Sequence, residues 1–176
     1  GALNLDGNSW AEVHDNASVD LTTSLSLEAW CYPTEDGTSS GREIIGKFIS
    51  GSSPYQCYAL QYEPGKFGFG IGATDNTWEV IGSTTGKAKE NWYHVVATYD
   101  GATRKIYING VQDASGNYTK TPQTTDENIA IGRWLGQAVG GTNTFFGPIA
   151  QPRIYNRALT ASEVLNNYNA TKDLYI

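Results

Sequence analysis

Side chains able to do acid, base or nucleophilic work are few in this sequence, and they are not grouped. His14 and His94 are the only histidines, and histidine carries most proton transfer near neutral pH. His94 falls in Trp92-Tyr93-His94-Val95-Val96-Ala97-Thr98-Tyr99, an alternating segment in which an imidazole bonded to a neighbouring strand is expected. His14 precedes Asp15 and Asn16 and reads as a turn residue at the surface. Glycoside hydrolysis needs two carboxyl groups across a cleft. On one strand face they would recur at even spacing, as Glu-x-Asp, and no such run exists: Glu28, Glu43, Glu63 and Glu79 stand alone in different segments. Gly-x-Ser-x-Gly, His-Glu-x-x-His and a phosphate-cradling glycine loop with Lys are absent as well. No catalytic residue is assigned, and the chain is read as a non-enzyme.

Binding chemistry is better supplied. Trp30, Trp92 and Tyr107 lie inside strand patterns and are expected in the core. Trp10, Tyr32, Tyr55, Trp78, Tyr118 and Trp134 lie at strand ends or beside loops. There a ring can stack on a sugar face while neighbouring polar groups bond its hydroxyls. Tyr32, Trp78 and Trp134, with Arg133 as hydrogen-bond donor, are the candidate ligand-binding residues. Calcium is the one metal the sequence admits, because it accepts carboxylate and carbonyl oxygens from loops without a strict signature. Asp6, Asp15, Asp20, Asp36 and Asp100 all fall near turns, but each can equally support its own turn, so no metal ligand is assigned. Two cysteines, Cys31 and Cys57, are too few for a Cys-based zinc site. Bridge and paired thiols both remain open; a bridge would add about 3 to 4 kcal/mol in the loop-entropy picture.

The elements that must position these residues follow from composition and period. At 176 residues the length fits a single domain over 1–176 with a sizeable core. With 12% aromatic, 17% charged residues and 20 glycines, the chain is folded and turn-rich. A net charge of −6 with scattered Lys and Arg argues against nucleic acid as partner, and no apolar run is long enough to insert in a membrane. Apolar residues recur with period two in short runs separated by Gly, Asn, Asp, Pro and Ser, the pattern of an antiparallel all-β fold with two stacked sheets or a closed barrel. The expected strands are 2–5, 11–13, 25–32, 43–48, 55–62, 66–71, 78–81, 92–99, 104–108, 111–114, 128–131 and 145–155. Asn109-Gly110 between Ile108 and Val111 predicts a type I′ hairpin. With the turn at Asp100-Gly101 it makes a three-stranded meander. Alternating glycines in Lys66-Phe67-Gly68-Phe69-Gly70-Ile71-Gly72 describe a strand with side chains on one face, allowing close packing on the other. Thr160-Ala161-Ser162-Glu163 has capping-box spacing, flanked by Leu159 and Val164 as a hydrophobic staple. A short helix ending near 166–168 is predicted.

Several of these runs together resemble the laminin-G-like family of concanavalin A-like jelly rolls. They are Ala2 to Gly7, Leu25 to Pro33, Asn91 to Gly101, Ile106 to Gly110, Ile131 to Arg133 and Phe146 to Thr160. The resemblance spans about residues 2 to 168. It implies a two-sheet antiparallel β-sandwich with one short C-terminal helix, and a non-catalytic, lectin-like module that binds a glycan or polysaccharide outside the cell, at a cell surface or on a virion. It equally admits a phage or surface structural protein that uses the sandwich for self-association or virion contacts, and, at the margin, a glycosidase or lyase. Relatives often carry an acid after the Ile of the last strand's Gly-x-Ile segment, where this chain has Ala150 and then Gln151; a calcium ion depending on that acid would lack a ligand.

Overall fold

The computed structural model describes residues 1–48, 56–84, 86–137 and 141–176. Two antiparallel sheets of six strands stack into a sandwich. The first holds, in spatial order, β1 (Leu3–Asp6), β12 (Phe146–Tyr155), β3 (Leu25–Cys31), β8 (Tyr93–Tyr99), β9 (Thr103–Ile108) and β10 (Val111–Asn117). The second runs β2 (Ala11–Val13), β11 (Ile129–Ile131), β4 (Arg42–Phe48), β5 (Gln56–Glu63), β6 (Lys66–Gly72) and β7 (Trp78–Gly82). Every strand expected from the period-two pattern is present, with no end moved by more than three residues. Tyr55, the expected first residue of the fifth strand, lies outside the described residues, as do parts of the loops after β7 and β11.

The alternation explains the core. Leu25, Leu27 and Ala29 of β3 and Val95 and Ala97 of β8 face Tyr58, Leu60 and Tyr62 of β5 and Phe67, Phe69 and Ile71 of β6, all buried. The residues between them point outward. On β3 even these are buried, because helix α1 (Ala161–Thr171) packs on the outside of the first sheet. Val96, Tyr107, Leu159 and Val164 form that second small core. Of the residues expected in the core, Trp30 and Tyr107 are buried in this outer layer, at 1% and 2% exposure, and Trp92 is half-buried; Trp30 packs on Tyr168 of α1 at 5.8 Å.

The local signals read from sequence are realised. Asn109 and Gly110 adopt φ of 52° and 82°, and β8, β9 and β10 are neighbours. Both bonds of the capping box form, Thr160 N–H to Glu163 at 2.8 Å and Glu163 N–H to the Thr160 hydroxyl at 3.3 Å. Helix α1 continues to Thr171, beyond the expected stop, because tertiary contacts hold its last turn: the Thr171 hydroxyl donates to Asn167 carbonyl and accepts from the Trp30 indole N–H. Thr160→Ala is expected to cost about 1 kcal/mol through loss of the cap, lowering the melting temperature by roughly 2 to 4 °C, measurable by thermal denaturation.

Cys31 and Cys57 are free, buried thiols on β3 and β5, and burial pushes the Cys31 thiol far above its ordinary range. No helix among the described residues is long and apolar enough to cross a membrane.

Candidate functional site

Glycines on one face of β6 create the first element of a site. Gly70 lies between Phe69 and Ile71, which point into the core, so its missing side chain is on the outer face of the second sheet. A Cβ there would stand 2.0 Å from the Trp78 ring. The indole of β7 therefore lies flat across the neighbouring strand, using the close approach glycine allows. The Trp78 ring meets Phe48 at 5.5 Å between centroids, and Phe48 meets Trp134 at 4.2 Å. Three rings from β7, the end of β4 and the segment after β11 thus converge outside the core.

Polar groups line the same face. Glu43 of β4 and Gln61 of β5 are directly opposite partners. The Glu43 carboxylate folds over Gly46, whose missing Cβ would lie 2.4 Å from Glu43 Oε2. Gly46, Ala59 and Gly70 are successive partners across β4, β5 and β6, which puts the carboxylate about 10 Å from β6, the strand over which the Trp78 ring lies, at ordinary strand spacing. Glu43 is 0% and Gln61 2% exposed. Both Glu43 carboxylate oxygens, the Gln61 amide oxygen and the Trp134 indole N–H are buried without a hydrogen-bond partner. The Gln61 amide nitrogen donates to Glu63 at 2.9 Å. Such orphaned groups are rare in folded proteins and call for an explanation.

Burial without a partner holds the Glu43 carboxyl well above the ordinary carboxylate range. Its sign is clear: the folded chain favours the protonated form, so Glu43 lowers stability as pH rises above its unfolded value near 4.5. Glu43→Gln is therefore expected to be more stable than the parent at pH 7, by about 1 to 2 kcal/mol, with the gap closing as pH falls to about 4. Chemical denaturation of both proteins across that range checks this.

Of the residues selected from sequence, Trp78, Trp134 and Arg133 lie on or beside this face. Arg133 is 7% exposed, its guanidinium 4.3 Å from the Trp10 ring centroid. Its Nε donates to the Trp134 carbonyl at 3.2 Å and its Nη2 to the Gln137 carbonyl. It thereby fixes the segment that carries the Trp134 ring. Trp10 in turn donates to Glu12 at 2.6 Å. Tyr32 is elsewhere: its ring packs on Trp92 at 5.6 Å, at the end of the first sheet. Tyr118 is 1% exposed and packed on Tyr99 in the core, so it is unavailable to a ligand. Phe48, Glu43 and Gln61 were not selected from sequence. The one available signal was Gly46 and Gly70 on the strands either side of β5, which leaves room for large side chains beside them.

His94 is the structural imidazole expected, its Nε2 2.9 Å from Glu28 Oε1 on the adjacent strand, and His14 is exposed. Asp6 and Asp100 accept backbone N–H groups of their own turns. Asp15 and Asp20 hold buried Lys47, and Asp36 pairs with Lys89 at 3.2 Å. Among the described residues no three His, Cys, Asp or Glu side chains group as a metal site.

The sequence profile of the laminin-G-like group in the concanavalin A-like lectin/glucanases superfamily matches residues 5–165. The chain belongs to this superfamily. Solved structures with the same fold include the binding domain of Paraclostridial Mosquitocidal Protein 1, 17% identical at a TM-score of 0.76, covering 96% of this chain and 43% of that one. Domain 4 of AbnA, a GH43 extracellular arabinanase of Geobacillus stearothermophilus solved with arabinotriose, is 22% identical at 0.71, covering 94% and 75%. The botulinum neurotoxin serotype D ligand-binding domain, solved with N-acetylneuraminic acid, is 18% identical at 0.65, covering 92% and 40%. This superfamily member spans less than half the length of the two toxin domains. Comparison with curated proteins finds no match. At these identities the likeness establishes the fold, and the site must be argued from its own residues.

Proposed function

We propose that this chain is a non-catalytic, lectin-like module that binds carbohydrate on the outer face of the second sheet and works outside the cell. The observation that carries the reading is the convergence of Trp78, Phe48 and Trp134 beside four buried polar atoms with no partner. Apolar ring surface with a few convergent hydrogen-bonding groups is the make-up of a small-molecule site. A sugar presents both complements, C–H faces for rings and hydroxyls for polar atoms. The arabinotriose and N-acetylneuraminic acid complexes of two fold neighbours support the same class of ligand.

Single shallow sites bind weakly, so strength comes from presentation in several copies. A glycan array probed with a multimerised domain, with calcium and with chelator, tests the reading. Saturable binding to one glycan class is expected, and Trp134→Ala should weaken it by about tenfold or more, as for a buried aromatic contact. Tyr32→Ala, on the other side of the molecule, should leave it unchanged. Folded protein that binds no glycan would shift the reading to a structural role on a virion or cell surface. Turnover of a polysaccharide that depends on one carboxylate would make it an enzyme.

A further inference from the structure

We infer that the site on the second sheet binds a single free glycan chain along at least two of its sugar units, and does not adsorb to the flat face of a crystalline polysaccharide. This rests on the carbohydrate reading above and narrows its ligand class. Two of the three rings are open to a ligand. Trp78 and Trp134 are half-buried, whereas Phe48 between them is 3% exposed and acts as a spacer. With one face on Gly70, the Trp78 indole turns its other face away from the sheet. The Phe48 plane stands at 71° to the Trp78 ring and at 39° to the Trp134 ring. Planes that make such unequal angles with a third cannot be parallel, so the two indoles differ in tilt by at least the gap between those values. Their centroids lie no farther apart than the legs of 5.5 and 4.2 Å through Phe48 laid end to end, a span that a trisaccharide covers.

Both tilts are built into the unliganded chain. Trp78 is seated over Gly70, where a Cβ would stand 2.0 Å from its ring. The segment carrying Trp134 is tied by Arg133, whose guanidinium donates to the Trp134 and Gln137 carbonyls and packs on the Trp10 ring. Rings held in this way reach one common plane only by giving up those contacts, so the site is set in advance for faces inclined to each other. A crystalline polysaccharide presents its sugar faces in one plane, and can therefore stack on one of these indoles but not on both. A free chain turns at each glycosidic bond, so different units offer differently inclined C–H faces, one to each ring. Once the first unit is stacked, the second contact is intramolecular and adds affinity through effective concentration.

The test has two arms, both on the chain without added multimerisation. For the glycan class that the array selects, the monosaccharide and the linear trisaccharide are titrated in solution by ligand-observed NMR. Microcrystalline cellulose and microcrystalline chitin are tested by co-sedimentation. Affinity is expected to rise about tenfold or more from monosaccharide to trisaccharide, as for the addition of one aromatic contact. Trp134→Ala should remove that gain and leave the monosaccharide affinity unchanged, a pattern that loss of folding cannot produce. No sedimentation with either crystal is expected. Equal affinity for the two sugars, or a Trp134→Ala variant that loses both to the same degree, would put the two rings on one sugar unit. Either result would overturn the inference while leaving the carbohydrate reading intact. Saturable sedimentation with cellulose or chitin crystals would overturn the exclusion of flat surfaces. Failure of every glycan to bind, soluble or crystalline, would overturn both readings together.

Discussion

Glu28→Ala is expected to cost about 3 to 5 kcal/mol, the size seen when one partner of a buried charged network is removed. Glu28 is 1% exposed and lies between β3 and α1. One carboxylate oxygen meets His94 Nε2 at 2.9 Å and Arg153 Nη1 at 3.0 Å. The other accepts from the Tyr155 hydroxyl at 2.6 Å and Asn167 Nδ2 at 3.0 Å. Four groups from β8, β12 and α1 meet on this one side chain, and alanine leaves His94 buried beside an empty space while the part-exposed Arg153, Tyr155 and Asn167 lose an acceptor. For a domain of this size the loss corresponds to a fall of roughly 10 °C or more in melting temperature, against the modest total stability of folded proteins. The pH dependence has a definite sign. Burial raises the Glu28 carboxyl, but the hydrogen bonds from His94 and Tyr155 outweigh it and hold the group below its ordinary value of 4.5. The ionised carboxylate therefore stabilises the fold above about pH 4.5, and that contribution fades as pH falls through the lowered folded value. Denaturation curves for the parent and Glu28→Gln should converge on acidification. A constant gap down to pH 3 would mean that the charge contributes nothing.

Gly70→Ala is expected to weaken glycan binding as much as Trp78→Ala does, although residue 70 offers no group to a ligand. The added methyl would stand 2.0 Å from the Trp78 ring, closer than any real contact, and the ring is the part free to move. Displacing it removes the platform that meets Phe48 at 5.5 Å. A loss of about tenfold, or 1.4 kcal/mol, is expected in both variants, with a folded domain in each case because alanine fits a strand. Binding retained in Gly70→Ala but lost in Trp78→Ala would show that the ring works from another position.

Much of the frame was legible in the residues alone because its signals are local. Period-two alternation, the Asn109-Gly110 turn and the Thr160–Glu163 box each depend on neighbours a few positions away. The structural role of His94 was legible for the same reason, since an alternating strand context puts its ring against the next strand. The helix end was misjudged because the contact that prolongs it, Trp30 to Thr171, joins residues distant in sequence. Tyr118 follows β10, and its burial against Tyr99 comes from packing between segments that no local signal carries.

What the sequence by itself determined is therefore the sandwich: two faces per strand, a short C-terminal helix, and no grouped acids and bases in the usual hydrolytic signatures. What only the tertiary structure decided is the site. Trp78 and Trp134 are far apart in the chain and are joined by Phe48, which carried no signal of its own. Glu43 reads as an isolated carboxylate until its pairing with Gln61 and the glycine beneath it place it, unpartnered, beside those rings. Side-chain period specifies which face a residue takes, but cross-strand register and the path of the segment after β11 specify its neighbours. Those are settled by packing over the whole sandwich, so a short stretch of sequence does not reveal them.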